Sequence, residues 1–138
     1  SAGLSPAAPR PCHPEHALED GEIGTASHIK KQAANVRTAY AESREKESFD
    51  WATTACAVRL AMDGNKIAAA DLVLGAVAPV PMPRPQAAAM LVGKEPSKRL
   101  FLRVADMAFQ GAAPLAHNAF KLPIGKAVVR DALEQATR

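Results

Sequence analysis

Aromatic side chains are scarce. Phe, Trp and Tyr make up 4% of 138 residues, with one Trp and one Tyr. Any core must therefore be built from Ala, Val, Leu, Ile and Met, which pack tightly but supply few large anchors. Cysteine is limited to Cys12 and Cys56. Cys56 stands among apolar residues, where a free thiol behaves as a small hydrophobe. Cys12 lies in a proline-rich leader, no bridge between the two is expected, and the pattern fits a reducing compartment. No apolar run approaches the roughly 20 residues of a membrane helix, so no membrane association is expected. The charged-then-apolar order of a secretory signal is missing. That favours the cytoplasm, although a subunit exported to the periplasm with a partner can lack its own signal. Glycines are spread singly, so no Gly-x-Gly-x-x-Gly, phosphate loop or nucleophile elbow occurs. Clustered charge of one sign is also missing. Seventeen Lys and Arg against 14 Asp and Glu give a net charge of +3 and a pI near 9.1. A nucleic-acid binder usually shows a basic stripe, and the densest stretch here is Lys30-Lys31 with Arg37, so no nucleic-acid partner is expected.

What is present points to one globular domain with a real core, since 48% of the residues are hydrophobic. Residues 1–24 carry Pro6, Pro9, Pro11 and Pro14 without a sustained apolar period, and read as a flexible leader or the remnant of an upstream region. Cys12, His13 and His16 lie there, but their spacing is not that of a zinc site, and no metal is expected. The domain itself is placed at 25–138. In residues 25–43, Ile29, Ala33, Val36 and Tyr40 fall at helical spacing, which predicts a short amphipathic helix, with Tyr40 open to an extended reading.

The chain is organised around two apolar runs, 51–62 and 66–77, joined by Asp63-Gly64-Asn65. That is a hairpin signal. Thr54, Cys56, Val58, Leu60 and Met62 share the face expected to meet helices. Trp51, Thr53, Ala55, Ala57 and Arg59 share a small, partly polar face suited to solvent or another domain. In the second run both faces are apolar, with Leu72, Leu74 and Ala76 on one and Ile67, Val73 and Val77 on the other. This predicts a central strand, which needs a third strand on its other side or an interface. Pro79, Pro81, Pro83 and Pro85 cannot continue a central ladder and read as an extended arm.

Three helices follow, over 85–92, 98–110 and 123–136. Pro85 starts the first, Ser97 caps the second, and Pro123 opens the third. Gly93 and Gly111 end the first two. The expected core is Cys56, Val58, Leu60, Leu72, Leu74, Leu100, Phe101, Val104, Val129 and Leu133. The fold class is α+β: a small antiparallel sheet with three helices on one face. His28 and His117 are isolated. His117-Asn118 can be polar members of a site or a loop that caps helix ends. The run Arg44-Glu45-Lys46-Glu47-Ser48-Phe49-Asp50 holds five charges in seven residues, ordinarily a solvated turn. The residues alone describe a domain without catalytic machinery of its own.

Three separated motifs, in order, carry a resemblance. They are Tyr40-Ala-Glu-Ser-Arg44-Glu-Lys-Glu-Ser48-Phe49-Asp50-Trp-Ala, Leu74-Gly75-Ala-Val77-Ala-Pro79-Val80-Pro81 with Leu91-Val-Gly93, and Ala113-Pro114-Leu115-Ala-His-Asn118-Ala-Phe120-Lys121-Leu with Arg130-Asp-Ala-Leu133. The region resembles the C-terminal domain of the FAD-binding, medium subunit of molybdenum hydroxylases, the xanthine dehydrogenase and carbon monoxide dehydrogenase group. The resemblance implies a three-stranded antiparallel sheet with a three-helix bundle. It implies a flavoprotein subunit that relays electrons between iron–sulfur clusters and an acceptor through FAD. Molybdopterin and iron–sulfur clusters would reside on partner chains, and an upstream flavin-binding region would grip FAD by Gly-rich turns that this chain lacks. Arg44, Glu45 and Lys46 would lie near the flavin. An alternative is a stand-alone binding or interaction module of the same fold without flavin.

Overall fold

The computed structural model describes residues 18 and 19, 21–46 and 50–138. Cys12, His13 and His16, and Glu47, Ser48 and Phe49 of the charged loop, lie outside the described residues. The chain divides into two compact units, 1–33 and 34–138. In the first, the described residues form no helix or strand. One turn is closed there by Glu22 N–H donating to the Glu19 carbonyl at 3.0 Å.

The second unit is a four-stranded antiparallel sheet with three helices. The strands are β1 (Val36–Ser43), β2 (Thr54–Asp63), β3 (Lys66–Gly75) and β4 (Met82–Pro83), and they lie in sequence order across the sheet. The helices are α1 (Pro85–Ala89), α2 (Lys98–Ala108) and α3 (Lys121–Ala136). The Asp63-Gly64-Asn65 hairpin therefore forms as its turn residues require, with Gly64 at a φ of +55°.

The helix expected within 25–43 does not form. Val36–Ser43 is a strand, pairing Val36 with Ala61 through Ser43 with Thr54. Its Val, Thr and Tyr suit a pleated surface, and β2 has an edge whose backbone groups need partners. Tertiary pairing thus overrides the apolar spacing at 29, 33, 36 and 40. The three-stranded sheet is corrected to four strands. β4 adds two residues beside β3, with Leu74 opposite Met82 and Val73 opposite Pro83, and the Arg84 N–H donates to the Leu72 carbonyl at 2.8 Å. The proline arm is thus confined to a short edge, where a missing N–H is tolerated.

Thr54, Cys56, Val58, Leu60, Leu72 and Leu74 are buried and face the helices. Ile67 joins them, although simple alternation places it on the other face. A register shift at Ala61/Met62 pairs Met62 with Ile67 and Ala61 with Ala69. Ala68 is the extra residue of this bulge, and it restores Ile67 to the core side. Ile67 is then fixed by two backbone bonds to the turn after α1. Its N–H donates to the Lys94 carbonyl at 2.9 Å, and its carbonyl accepts from Gly93 N–H at 2.7 Å.

Ser97 caps α2, its Oγ accepting from Leu100 N–H at 3.3 Å. The helix buries Phe101, Val104, Ala105 and Ala108. Leu100 is corrected from buried to half-buried, at the margin of that stripe. Helix α3 buries Val128, Val129, Ala132, Leu133 and Ala136, and it packs on β1, β2 and α2. At its C-terminus the Arg37 guanidinium reaches the Thr137 and Arg138 carbonyls, each at 3.4 Å, where a cation meets the negative end of the helix. That contact fixes the direction of α3: its end lies by the start of β1, so its start lies by the end of β1. No helix among the described residues is long and apolar enough to cross a membrane.

Candidate functional site

Among the described elements, the three helices pack on one face of the sheet and none covers the other. Tyr40, Glu42, Ala57, Arg59, Asp71 and Val73 stand on it by register. Tyr40 remains 58% exposed, and Arg59 pairs with Asp71 across β2 and β3 at 2.7 Å. Such an exposed pair contributes about 1 kcal/mol or less.

At one end of this face β1 runs out into the charged loop. The Thr53 N–H donates to the Ser43 carbonyl at 2.7 Å and closes the loop's base. Arg44 is the first loop residue, and its guanidinium forms an ion pair with Glu42. The other carboxylate oxygen of Glu42 accepts from the Tyr40 hydroxyl at 2.9 Å. Residues 40, 42 and 44 share one side of an extended chain, so Glu42 sits between the two and can hold both. Burial, the Glu42 hydrogen bond and the Glu42 charge together hold the Tyr40 hydroxyl above its ordinary pKa of 10.0, against a smaller opposing pull from Arg44.

Glu45 and Lys46 follow, both exposed, and Lys46 has no ion-pair partner among the described residues. The loop returns at Asp50, whose Oδ1 accepts from the Trp51 N–H at 3.0 Å, and Trp51 stands 92% exposed. The expected site residues Arg44, Glu45 and Lys46 thus lie together on one exposed turn. Sequence reading missed Glu42 as the partner of both Arg44 and Tyr40. The signal was their i, i+2, i+4 spacing, which becomes informative once 36–43 is recognised as a strand.

The same end of the sheet carries the exit of β3 and the start of α3. Gly75 lies opposite Ala55, and the next residue, Ala76, adopts a left-handed φ of +57° as the chain leaves the sheet. The Lys121 ammonium approaches the Ala76 carbonyl at 3.5 Å. His117 is exposed, whereas Asn118 is a turn residue. Its Oδ1 accepts from Leu115 N–H at 2.6 Å and its carbonyl accepts from Lys121 N–H at 3.0 Å. No group of three or more metal-ligating side chains occurs among the described residues. Cys56 is fully buried, and burial pushes its thiol pKa up to about 12, so it is not a reactive nucleophile.

The family described as the CO dehydrogenase flavoprotein C-terminal domain matches residues 38–136. This chain belongs to that family. The match starts within β1 and ends at the last residue of α3, so it takes in nearly the whole sheet-and-helix unit. Among solved structures, the carbon monoxide dehydrogenase of Hydrogenophaga pseudoflava is similar at 28% identity and a TM-score of 0.71, covering 78% of this chain and 39% of that one. The reconstituted CO dehydrogenase of Oligotropha carboxidovorans is similar at 27% identity and a TM-score of 0.71, covering 79% and 39%. Quinoline 2-oxidoreductase from Pseudomonas putida 86, at 24% identity and a TM-score of 0.69 over 74% and 37%, shares the fold. Among curated proteins, none matches the sequence. The chain corresponds to about two-fifths of the length of these solved flavoprotein-family relatives.

Proposed function

We propose that the chain is the C-terminal domain of a flavoprotein subunit that relays electrons between iron–sulfur clusters and an acceptor through FAD. In this reading the clusters and the molybdopterin sit on partner chains, and the substrate is hydroxylated on the molybdenum-containing one. The family membership supports the reading, and the observation that carries it is the exposed Arg44-Glu45-Lys46 turn at an open end of the sheet. The location of the assembly, cytoplasm or periplasm, follows its partners.

The residues suit one part of FAD and not another. Charged side chains on an exposed turn suit the polar edge of an isoalloxazine ring. The pyrophosphate needs backbone N–H donors from Gly-rich turns or a free helix start. Helix α1 has five residues and opens on a proline, α2 spends its cap on Leu100 N–H, and α3 begins from Phe120 without a side-chain cap or a Gly-rich turn. FAD would therefore be held by a flavin-binding region of the subunit and shared with this domain.

When bound, the flavin supplies the redox chemistry, and this domain supplies orientation and charge. With a flavin beside this turn, Lys46 would stabilise negative charge at its edge and Glu45 would oppose it. Arg44 is offset by Glu42 at contact distance, so the pair presents little net charge. A chimera in which residues 38–136 replace the matching domain of a CO dehydrogenase flavoprotein tests the reading by the flavin midpoint potential. Lys46→Gln should lower the potential. Arg44→Gln should also lower it, by leaving Glu42 unbalanced, and Glu45→Gln should raise it. Potentials unmoved by all three substitutions would sink the assignment. The second reading, a binding module without flavin, draws on the uncovered sheet face around Tyr40, Ala57 and Val73.

A further inference from the structure

A cavity of about 300 Å³ lies between the end of β3, strand β4, the turn after α2 and the start of α3. Leu74, Val77, Met82 and Phe109 are its apolar walls. Its charged and amide-bearing side chains are Arg84, Gln110, Asn118 and Lys121, and no Asp or Glu among the described residues lines it.

The bonding of these groups leaves donors over. Arg84 gives an Nη2 hydrogen to the Gln110 carbonyl at 2.9 Å, and a guanidinium has five donors. The contact of Lys121 with the Ala76 carbonyl, at 3.5 Å, is at the outer limit of a hydrogen bond, so most of the ammonium's capacity is unspent. Asn118 spends its oxygen on Leu115 N–H and keeps its amide N–H₂ group. Two half-buried cations and an amide donor thus border an apolar hollow with no compensating carboxylate among the described residues. Two positive charges converging on one hollow favour an anion there. The volume and the mix of apolar walls with few polar groups match the low end of small-molecule sites, about 300–1,000 Å³.

We propose that this cavity binds a small amphipathic acid. Its apolar body lies against Leu74, Val77, Met82 and Phe109, and its carboxylate lies toward Arg84 and Lys121. The site is independent of the flavin reading, since none of its lining residues belongs to the Arg44–Lys46 turn.

The test uses 2-naphthoate and its uncharged amide, titrated calorimetrically into the full chain. Methyl NMR on Met82 reports where each ligand sits, with Met62, Met90 and Met107 as the other methionine signals. Naphthoate should saturate, shift Met82 selectively, and bind roughly tenfold tighter than the amide, because a charge-assisted hydrogen bond discriminates between them. Lys121→Met should weaken naphthoate about tenfold and leave the amide unchanged, while Lys121→Arg restores the difference. Lys98→Met, on α2 and outside the cavity lining, should leave both affinities unchanged. Equal affinity for acid and amide, insensitivity to Lys121→Met, or shifts that bypass Met82 would each overturn the proposal. Failure to saturate at millimolar naphthoate would overturn it as well.

Discussion

The ring of Phe109 lies against the bare backbone of Gly125. A Cβ built on Gly125 would overlap the ring, 2.9 Å from Cε1 and 3.0 Å from Cε2. Phe109 follows α2 and Gly125 stands in the second turn of α3, so glycine permits the close approach of the two helices at this point. Helix propensity alone would make Gly125→Ala stabilising by about 1 kcal/mol. The overlap reverses the sign, because the ring must leave a buried position, and overpacking costs about 1–3 kcal/mol. Chemical denaturation should show Gly125→Ala less stable than wild type. In a Phe109→Leu background the same change should be neutral or stabilising. A loss of equal size in both backgrounds would mean that the Phe109 contact does not set the penalty.

Thr54 gives a second prediction. It is fully buried at the start of β2, and its hydroxyl has no hydrogen-bond partner among the described residues. An unsatisfied buried polar group costs about 1–3 kcal/mol, and replacing it by an apolar group of the same shape removes that cost. Thr54→Val should therefore leave the melting temperature unchanged or raise it. A fall would show that the hydroxyl is satisfied in solution by a bound water or another group.

The fold was legible where local chemistry decided it. The Asp-Gly turn, Pro85, Ser97 and the 3.6-residue stripe on α3 each act within a few residues, and the hairpin and three helices form as they indicate. The misread places depend on partners distant in sequence. Residues 36–43 become a strand because β2 needs a neighbour. Ile67 changes face because of a bulge that alternation cannot reveal. Leu100 looked like a core residue because it falls on one apolar stripe with Phe101, Val104, Met107 and Ala108, but the helix turns it toward the rim. The site shows the same division. Arg44, Glu45 and Lys46 are conspicuous as a charge run, whereas the Glu42 contact with both Tyr40 and Arg44 follows from the strand geometry.

Tyr40 makes that contact measurable, because it is the chain's one tyrosine. Its pKa is raised, so the stability it contributes is present below the unfolded value near 10 and is lost as pH rises through the higher folded value. Glu42→Gln removes the carboxylate charge that disfavours tyrosinate and leaves burial, the largest cause of the shift, in place. Ultraviolet titration of tyrosinate should give a midpoint above 10 in the wild type and a lower one in Glu42→Gln. Identical midpoints would show that Glu42 does not bond Tyr40 in solution.

The central claim is that this domain places charge beside a flavin that another region of the subunit holds. Calorimetric titration of FAD into the 138-residue chain alone, and into the chain combined with the flavin-binding region of a family member, tests it most directly. Micromolar affinity requires about 8 kcal/mol. One exposed charged turn contributes about 1 kcal/mol or less per contact, and no helix start among the described residues offers a phosphate cradle. The account predicts no micromolar binding by the chain alone. With the flavin-binding region, Arg44→Gln or Lys46→Gln should change the flavin potential. Low-micromolar or tighter FAD binding to the chain alone would contradict it.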